Sequence, residues 1–175
     1  MPHIDASKIE NAQARNVLAQ FLMHREINRE FYRRVPADKL DYRMADTKSR
    51  RSDSPRESLV HQLYVTRNYV HSVRTGVMQW GEERVALLVI PAWQTWDKQR
   101  LLSEMQRIEQ ELATLLSEPD IESRQVAVPW SREPLPALTL LRGLIDHEIL
   151  HTGWNLALMD LLDIERFPAL KDHWG

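Results

Sequence analysis

The residues best suited to chemistry are two histidines in the segment 145–155, IDHEILHTGWN. His147 and His151 are four positions apart, so on a helix they share one face and both rings can reach one metal ion. With Glu148 between them, the segment also fits the pattern H-E-x-x-H, which is typical of zinc peptidases. The spacing therefore indicates either a peptidase or a metal site of a different kind.

The residues that follow His151 disfavour the peptidase. A zinc peptidase with this motif needs a third ligand on a later element and an edge strand that holds the peptide. Glu165 is the sole glutamate after His151, and a continuous helix would place it about 20 Å away along the axis. The sequence also shows no convincing sheet, so we predict that the protein is not a zincin peptidase.

A metal site needs a third ligand, and the other histidines are the candidates. His61 and His71 fall on different faces of one predicted helix, so both cannot reach the same centre. We interpret His24 as a surface or packing histidine, and we expect His3 and His173, near the termini, to be exposed to solvent. Spacing alone leaves His61 open, either as a ligand or as an ordinary helix histidine.

Three neighbours of the histidine pair have alternative interpretations. Glu148 lies at the margin of the histidine face, where it could accept a hydrogen bond from a ligand or act as a general base toward a water on the metal. Its other interpretation is a solvated glutamate or one in a salt bridge between helices. Trp154 is either a pocket wall or a core or interface aromatic. Gly153 costs about 1 kcal/mol relative to alanine in a helix, and we expect a neighbouring helix to approach it closely.

The composition is that of an ordinary globular protein and restricts the chemistry. The chain has 175 residues, of which 43% are hydrophobic and 27% are charged, with a net charge of -2. This charge favours neither nucleic acid nor an acidic membrane, and we interpret Arg25-Glu26 and Arg29-Glu30 as solvated helix faces. Because there is no cysteine, disulfides, thiolate ligands and a cysteine nucleophile are excluded. The first residues lack the apolar core of a signal peptide, and we expect a cytoplasmic location.

Apolar periodicity predicts four long helices, separated by two long connections. The first runs from about Ser7 to Val35 and ends before Pro36. The second has the clearest start, since Ser54 can cap it and Glu57 completes a capping box, and Gly81 is its predicted end. The third covers about residues 97–117 with Asp97 as its cap, and the fourth covers about 136–163. The apolar run 85–92 is predicted to be packed coil or a helical turn, and 36–53 and 118–134 to be loops.

Helices of this length and number predict an all-α four-helix bundle that forms a single domain over residues 1–175. The long connections permit crossovers between the helices. Leu140, Leu144, Asn155 and Leu158 lie on nearly the same face as the histidine pair, so that face is predicted to point into the bundle. Two buried imidazoles need polar partners, and a shared divalent ion would supply one to both.

Three stretches resemble the DinB-like superfamily of metal-binding four-helix bundles. RRVPADKLDYRMADTKSRRSDSPRESLVHQL resembles the segment where the first helix ends at a proline and a serine-led helix carries the first histidine. LIDHEILHTGWNLALMDLLDI resembles the final helix with its histidine pair, and RLLSEMQRIEQELATLL fits the helix between them. The resemblance spans about residues 10–170. The chain departs from the usual pattern at Thr152 and Trp154, where the superfamily carries a basic or histidine residue and a polar one.

The resemblance implies a ligand set and two kinds of activity. The ligands would be His61, His147 and His151 around one divalent ion, which could be zinc, nickel, manganese or iron. The resemblance also implies a homodimer. The implied activity is that of a metal-dependent hydrolase or a thiol-dependent transferase that acts on an unidentified small molecule. Since the chain has no thiol, transferase chemistry would need an external low-molecular-weight thiol. The alternatives are a metal-stabilised dimeric bundle or stress-response binding protein without catalysis, and a scaffold that binds no metal.

Overall fold

The computed structural model describes residues 4–79 and 93–174, and most of them are helical. The four long helices confirm the predicted all-α bundle. They are α1 (Ala12–Arg34), α2 (Pro55–Thr75), α3 (Lys98–Leu116) and α4 (Ala137–Leu161), and a short helix α5 (Pro168–Trp174) follows them. None of the helices within the described ranges is long and apolar enough to cross a membrane.

The long connections join helices at opposite corners of the bundle. Both α1 and α2 pack extensively against α3 and α4, which gives the order α1, α3, α2, α4 around the bundle axis. The segments 35–54 and 117–136 therefore each have to cross one end of the bundle. The second of them was predicted to be a loop, but it also carries a small antiparallel sheet of β1 (Gln125–Val126) and β2 (Leu135–Pro136).

Helix α2 begins where the capping box predicts and ends earlier than predicted. The Ser54 side chain accepts a hydrogen bond from the backbone N–H of Glu57, whose carboxylate accepts one from the Ser54 N–H. At the other end Gly76 adopts φ 76°, and its N–H bonds to the carbonyl of Ser72. Glycine enters this left-handed conformation without the steric cost that other residues pay. The predicted end at Gly81 is therefore wrong.

The start of α1 differs from the prediction, and the start of α3 agrees with it. Helix α1 begins at Ala12 because the Asn11 side chain caps it by accepting from the Ala14 N–H, while residues 6–8 form a separate 3-10 turn. The predicted coil at 85–92, Gly81 and His3 all lie outside the described residues. The Asp97 cap of α3 is confirmed, since its side chain accepts from the backbone N–H of Arg100.

The apolar core has two parts with a polar layer between them. One part contains the first half of α1 and the first half of α4, and the other contains the last turns of the same helices. Between them α1, α2 and α4 contribute buried polar side chains. The layer consists of Arg25, Asn28, Tyr32, Ser58, Gln62, Thr66, Glu148, Thr152 and Asn155.

The close helix approach expected at Gly153 is found at another glycine. Gly153 is exposed, and a Cβ atom at this position would meet no atom within 4 Å. A Cβ atom at Gly143 would lie only 2.9 Å from the hydroxyl of Tyr69. The expectation at Gly153 is therefore wrong, and Gly143 is the glycine of α4 that a side chain of α2 approaches closely.

Glu57 links the start of α2 to the preceding loop. Its carboxylate lies 2.7 Å from Arg43 Nη2 and 2.9 Å from the Ser54 backbone nitrogen. The hydrogen bond from Arg43 is the largest cause that lowers the pKa of Glu57 below its ordinary value. A carboxyl with a lowered folded-state pKa stabilises the fold above its unfolded pKa, and this contribution is lost as the pH falls through the folded value.

We therefore expect Glu57→Gln to lower the free energy of unfolding by about 1 kcal/mol at pH 7. The difference from the unmodified protein should shrink as the pH is lowered from 7 to 2, because the contribution is lost as the pH falls through the lowered folded-state pKa of the carboxyl. Urea denaturation at the two pH values measures it, and Glu10→Gln, at an exposed glutamate, is the control. If Glu57→Gln lowers the free energy of unfolding by the same amount at both pH values, the charge of Glu57 does not contribute to the cap.

Candidate metal centre

Three imidazole rings converge where α2 packs against α4. His61 Nε2 lies 3.0 Å from His147 Nε2, and His151 Nε2 lies 3.3 Å from His147 Nε2. The His147 and His151 rings, one turn apart on α4, have centroids 4.5 Å apart, and the His61 ring faces both. All three rings are partly exposed. The structure therefore brings the predicted third histidine to the pair.

The spacing of the three nitrogens fits a single metal ion. Two nitrogens that bind one ion at about 2.1 Å are separated by roughly 3.0 to 3.4 Å when the angle at the ion is about 90° to 110°. The two measured Nε2 separations, 3.0 and 3.3 Å, lie within this range. Ligand atoms of the three residues all lie within 4.8 Å of one another. The cluster could thus hold a metal ion, and imidazole donors suit zinc, iron and nickel.

Burial keeps His151 in the form that binds metals. The pKa of His151 is lowered to about 3; desolvation is the largest cause, and the neighbouring His147 also contributes. A metal ion binds the neutral imidazole, whose free nitrogen carries the lone pair. His151 therefore offers a metal-binding nitrogen throughout the neutral pH range without having to lose a proton.

The remaining histidines in the described ranges lie away from this cluster. His24 is buried on α1 with its ring against Trp174, so it is a packing histidine. Burial lowers the pKa of His24. His173 is exposed, as predicted, and His71 lies on α2 outside the group whose donor atoms converge.

Glu148 points into the bundle and forms a buried ion pair with α1. Its Oε1 lies 2.9 Å from Arg25 Nη2, and its Oε2 accepts a hydrogen bond of 2.9 Å from Asn28. Burial raises the pKa of Glu148, but the charge of Arg25 and the hydrogen bonds of its neighbours outweigh burial, and the net shift is downward. Of the predicted alternatives for Glu148, the solvated glutamate is wrong and the salt bridge between helices is observed.

The interpretation of two arginines as solvated is also wrong. Arg25 is 1% exposed, because it is the cation that pairs with the buried Glu148. Arg29 is 9% exposed and pairs with the buried Glu109 of α3. A charge that is removed from water needs a partner of opposite sign, and both arginines reach across to another helix to find one.

Asn28 connects Glu148 to the next turns of α4. Its carbonyl oxygen accepts hydrogen bonds from Thr152 at 3.1 Å and from Asn155 at 2.9 Å, while its amide donates to Glu148. The departure from the superfamily pattern at Thr152 therefore lies in this layer, where its hydroxyl contacts α1. Sequence reasoning missed Arg25 and Asn28, although their positions on the face of α1 that also carries Phe21 were a usable signal.

The geometry around Glu148 and Glu165 also bears on the peptidase alternative. Glu148 is paired with Arg25 in the core, whereas the peptidase motif uses this glutamate as the general base beside the metal. Glu165 is exposed and lies beyond the end of α4. Within residues 4–79 and 93–174 the strands are two residues long. Glu148 is thus not placed as the base that the peptidase motif requires, and the exclusion of a zincin peptidase stays a prediction.

Trp154 is half-buried against the part of the apolar core that contains the last turns of α1 and α4. It packs against the apolar cluster that contains Leu158, Met159 and Phe167. This placement favours the core aromatic over the pocket wall. The nearby Thr152 and Asn155 side chains belong to the polar layer, where both donate hydrogen bonds to Asn28.

The fold and the cluster together define a four-helix bundle with three histidines placed to hold a metal ion. A crystal structure with this fold is that of a DinB-like protein, YjoA, from Bacillus subtilis. The two share 17% sequence identity with a TM-score of 0.67, over 87% of this chain and 96% of YjoA. No protein-family model matches the sequence, and no curated protein matches it. The comparison confirms the DinB-like fold.

Proposed function

We propose that the protein binds one divalent metal ion through the Nε2 atoms of His61, His147 and His151. The observation that carries the proposal is the convergence of these atoms from two helices, at 3.0 and 3.3 Å. Three like donors at this spacing are costly without a shared partner. Zinc, nickel and iron are candidate ions because imidazole donors suit them, and manganese is a further candidate that the resemblance to the DinB-like superfamily implies.

The proposed activity is that of a metal-dependent hydrolase or a thiol-dependent transferase. A divalent ion with three protein ligands acts as a Lewis acid and lowers the pKa of a water or thiol at its open positions. The partial exposure of the three rings supports an ion that small molecules can reach. The thiol has to be an external low-molecular-weight compound, since the chain has no cysteine.

For Glu148 the contacts support a positioning role over that of a general base. His147 Nδ1 and Glu148 Oε1 are both buried and lie 3.9 Å apart. A small movement would let the ring donate to the carboxylate, which orients a ligand and increases its basicity. Glu148→Gln keeps the shape and removes the charge. If it changes turnover at unchanged metal content, the general-base role is supported instead.

The activity is tested with zinc-loaded and nickel-loaded protein purified without a histidine tag. We expect it to turn over activated esters, or to transfer a small thiol to an electrophile, and to lose the activity in His147→Ala. The assay compares loaded protein, chelator-treated protein and the variant on the same panel. Tight metal binding without ester hydrolysis and without thiol transfer would support the non-catalytic, metal-stabilised bundle.

The outer face of α4 supports the proposed homodimer. Leu150 is 73% exposed and Leu161 is 57% exposed, and the exposed Gly153 and Ala157 lie between them on one stripe of the helix. Small and apolar residues at this spacing allow two helices to pack closely. The single-domain organisation over residues 1–175 and the cytoplasmic location remain predictions from the sequence.

We expect the double substitution Leu150→Lys and Leu161→Lys to convert a dimer into a monomer, because it places charges on the shared stripe. Sedimentation velocity measures the change. Val77→Lys, at a residue that is 51% exposed outside the long helices, is the control and should leave the dimer intact. A monomeric unmodified protein, or a dimer that survives the double substitution, would contradict this interface.

A further inference from the structure

The nitrogen of His151 that faces away from the cluster contacts a buried serine. Nε2 of His151 points toward His147, and its Nδ1 lies 2.9 Å from Ser58 Oγ. Ser58 is on the first turn of α2, one turn before His61, and it is only 2% exposed. The helix that supplies one histidine of the cluster therefore also contacts the back of another.

Two further buried side chains hold the Ser58 hydroxyl in place. The hydroxyl of Tyr32, from α1, lies 3.1 Å from Ser58 Oγ, and Gln62 donates to the Tyr32 oxygen at 2.5 Å. Because the Gln62 amide already occupies the Tyr32 oxygen as a donor, the Tyr32 proton is free to point to Ser58. Tyr32 and Gln62 have no exposed surface, so water does not compete for these hydrogen bonds.

The partner of Nδ1 bears on which His151 nitrogen can bind a metal. A neutral imidazole carries its proton on one nitrogen, and the other nitrogen has the free lone pair. If Nδ1–H donates to Ser58, the free lone pair is on Nε2, which faces His61 and His147. Acceptors behind a metal-binding histidine typically change metal affinity by about 10- to 100-fold when they are removed.

We propose that Ser58 is a positioning residue that accepts the Nδ1–H of His151 when a metal ion is bound at Nε2. The serine oxygen has two lone pairs, so it can accept from His151 and from Tyr32 together, and Tyr32 and Gln62 hold the hydroxyl in place. The inference rests on the proposed metal site and extends it to α1, a helix that supplies none of the three histidines. Helix α1, which lies diagonally opposite α2 in the bundle, would then influence metal affinity through the hydrogen bonds that join Tyr32, Ser58 and His151.

The test is the zinc affinity of Ser58→Ala, measured at pH 7 by competition with a chromophoric chelator. We expect Kd to rise by about 10- to 100-fold, and Tyr32→Phe, which leaves the serine in place, to cause a smaller rise. Ser72→Ala is the matched control, since Ser72 is also a buried serine of α2 but donates to the Asn68 carbonyl. It should leave Kd within about twofold.

A spectroscopic readout separates positioning from a general loss of structure. In zinc-loaded protein with ¹⁵N-labelled histidine, we expect a slowly exchanging Nδ1–H proton on His151, and its exchange should become fast in Ser58→Ala. Thermal unfolding of each metal-free variant checks that it is folded. Zinc binding by the unmodified protein with equal affinity in Ser58→Ala would overturn the inference and leave the metal site intact. Absence of zinc binding by the unmodified protein would overturn both.

Discussion

Replacing Arg25 by methionine is expected to lower the free energy of unfolding by about 3 to 5 kcal/mol. Arg25 is the cation that faces the buried carboxylate of Glu148, 2.9 Å away. Methionine fills most of the space but leaves that carboxylate in the core with Asn28 as its remaining neutral donor. Removing one member of a buried ion pair is far more costly than removing an exposed pair, because the remaining charge is not hydrated.

Urea denaturation of the metal-free protein measures this effect. Arg33→Met is the matched control, since Arg33 is on the same helix and pairs with Glu26 while 43% exposed. It should cost no more than about 1 kcal/mol. Adding Glu148→Gln to Arg25→Met should restore much of the stability, because no unpaired charge remains. A loss below about 1 kcal/mol in Arg25→Met would show that the polar layer is hydrated.

The second large effect is expected in metal affinity when His61 is replaced by alanine. His61 is the only one of the three clustered histidines that comes from α2. Structural zinc sites with four ligands bind with about 10 to 16 kcal/mol, or roughly 2.5 to 4 kcal/mol per ligand. Losing one ligand should therefore weaken zinc binding by roughly a hundred- to a thousandfold.

Competition titrations of tag-free protein at pH 7 measure this change. His71→Ala removes a histidine from the same helix at a position outside the cluster, and it should leave zinc affinity unchanged. Excess zinc should also raise the melting temperature of the unmodified protein and of His71→Ala, but hardly that of His61→Ala. Equal affinities in the two variants would exclude His61 as a ligand.

The parts of the fold and site that follow from local chemistry were predictable from the sequence. Ser54 and Glu57 mark the start of α2 because their capping hydrogen bonds involve residues three apart. The pairing of His147 with His151 follows from helix geometry. His61 needed the resemblance to the DinB-like superfamily, since its approach to the pair depends on how α2 packs against α4.

The errors at Arg25 and Gly153 arise where a side chain's partner is distant in the sequence. Arg25 is next to Glu26, which suggests a surface pair, but its ion-pair partner is Glu148 on another helix. Gly153 has the residue type of a close helix contact, yet the contact is made at Gly143 against Tyr69. Burial depends on the order of the helices around the bundle, and neither periodicity nor charge patterning determines that order.

The polar layer connects α1 to α2 and to α4, the two helices that carry the histidines of the cluster. Arg25 reaches Glu148 on α4 and also donates to Thr66 on α2 at 2.5 Å, and Tyr32 reaches Ser58. Buried polar groups contribute little net stability compared with apolar residues, but they penalise arrangements that leave them unpaired. We therefore infer that the layer fixes the positions of α2 and α4, on which the spacing of the three nitrogens depends.

The most direct test is anomalous diffraction from crystals of zinc-loaded, tag-free protein, collected at the zinc absorption edge. The metal site predicts one strong anomalous peak per chain, about 2.0 to 2.1 Å from the Nε2 atoms of His61, His147 and His151. The same crystal would show what occupies the remaining positions around the ion. Three rings that stay hydrogen-bonded to one another without a peak between them, or a peak on other residues alone, would contradict the proposed centre.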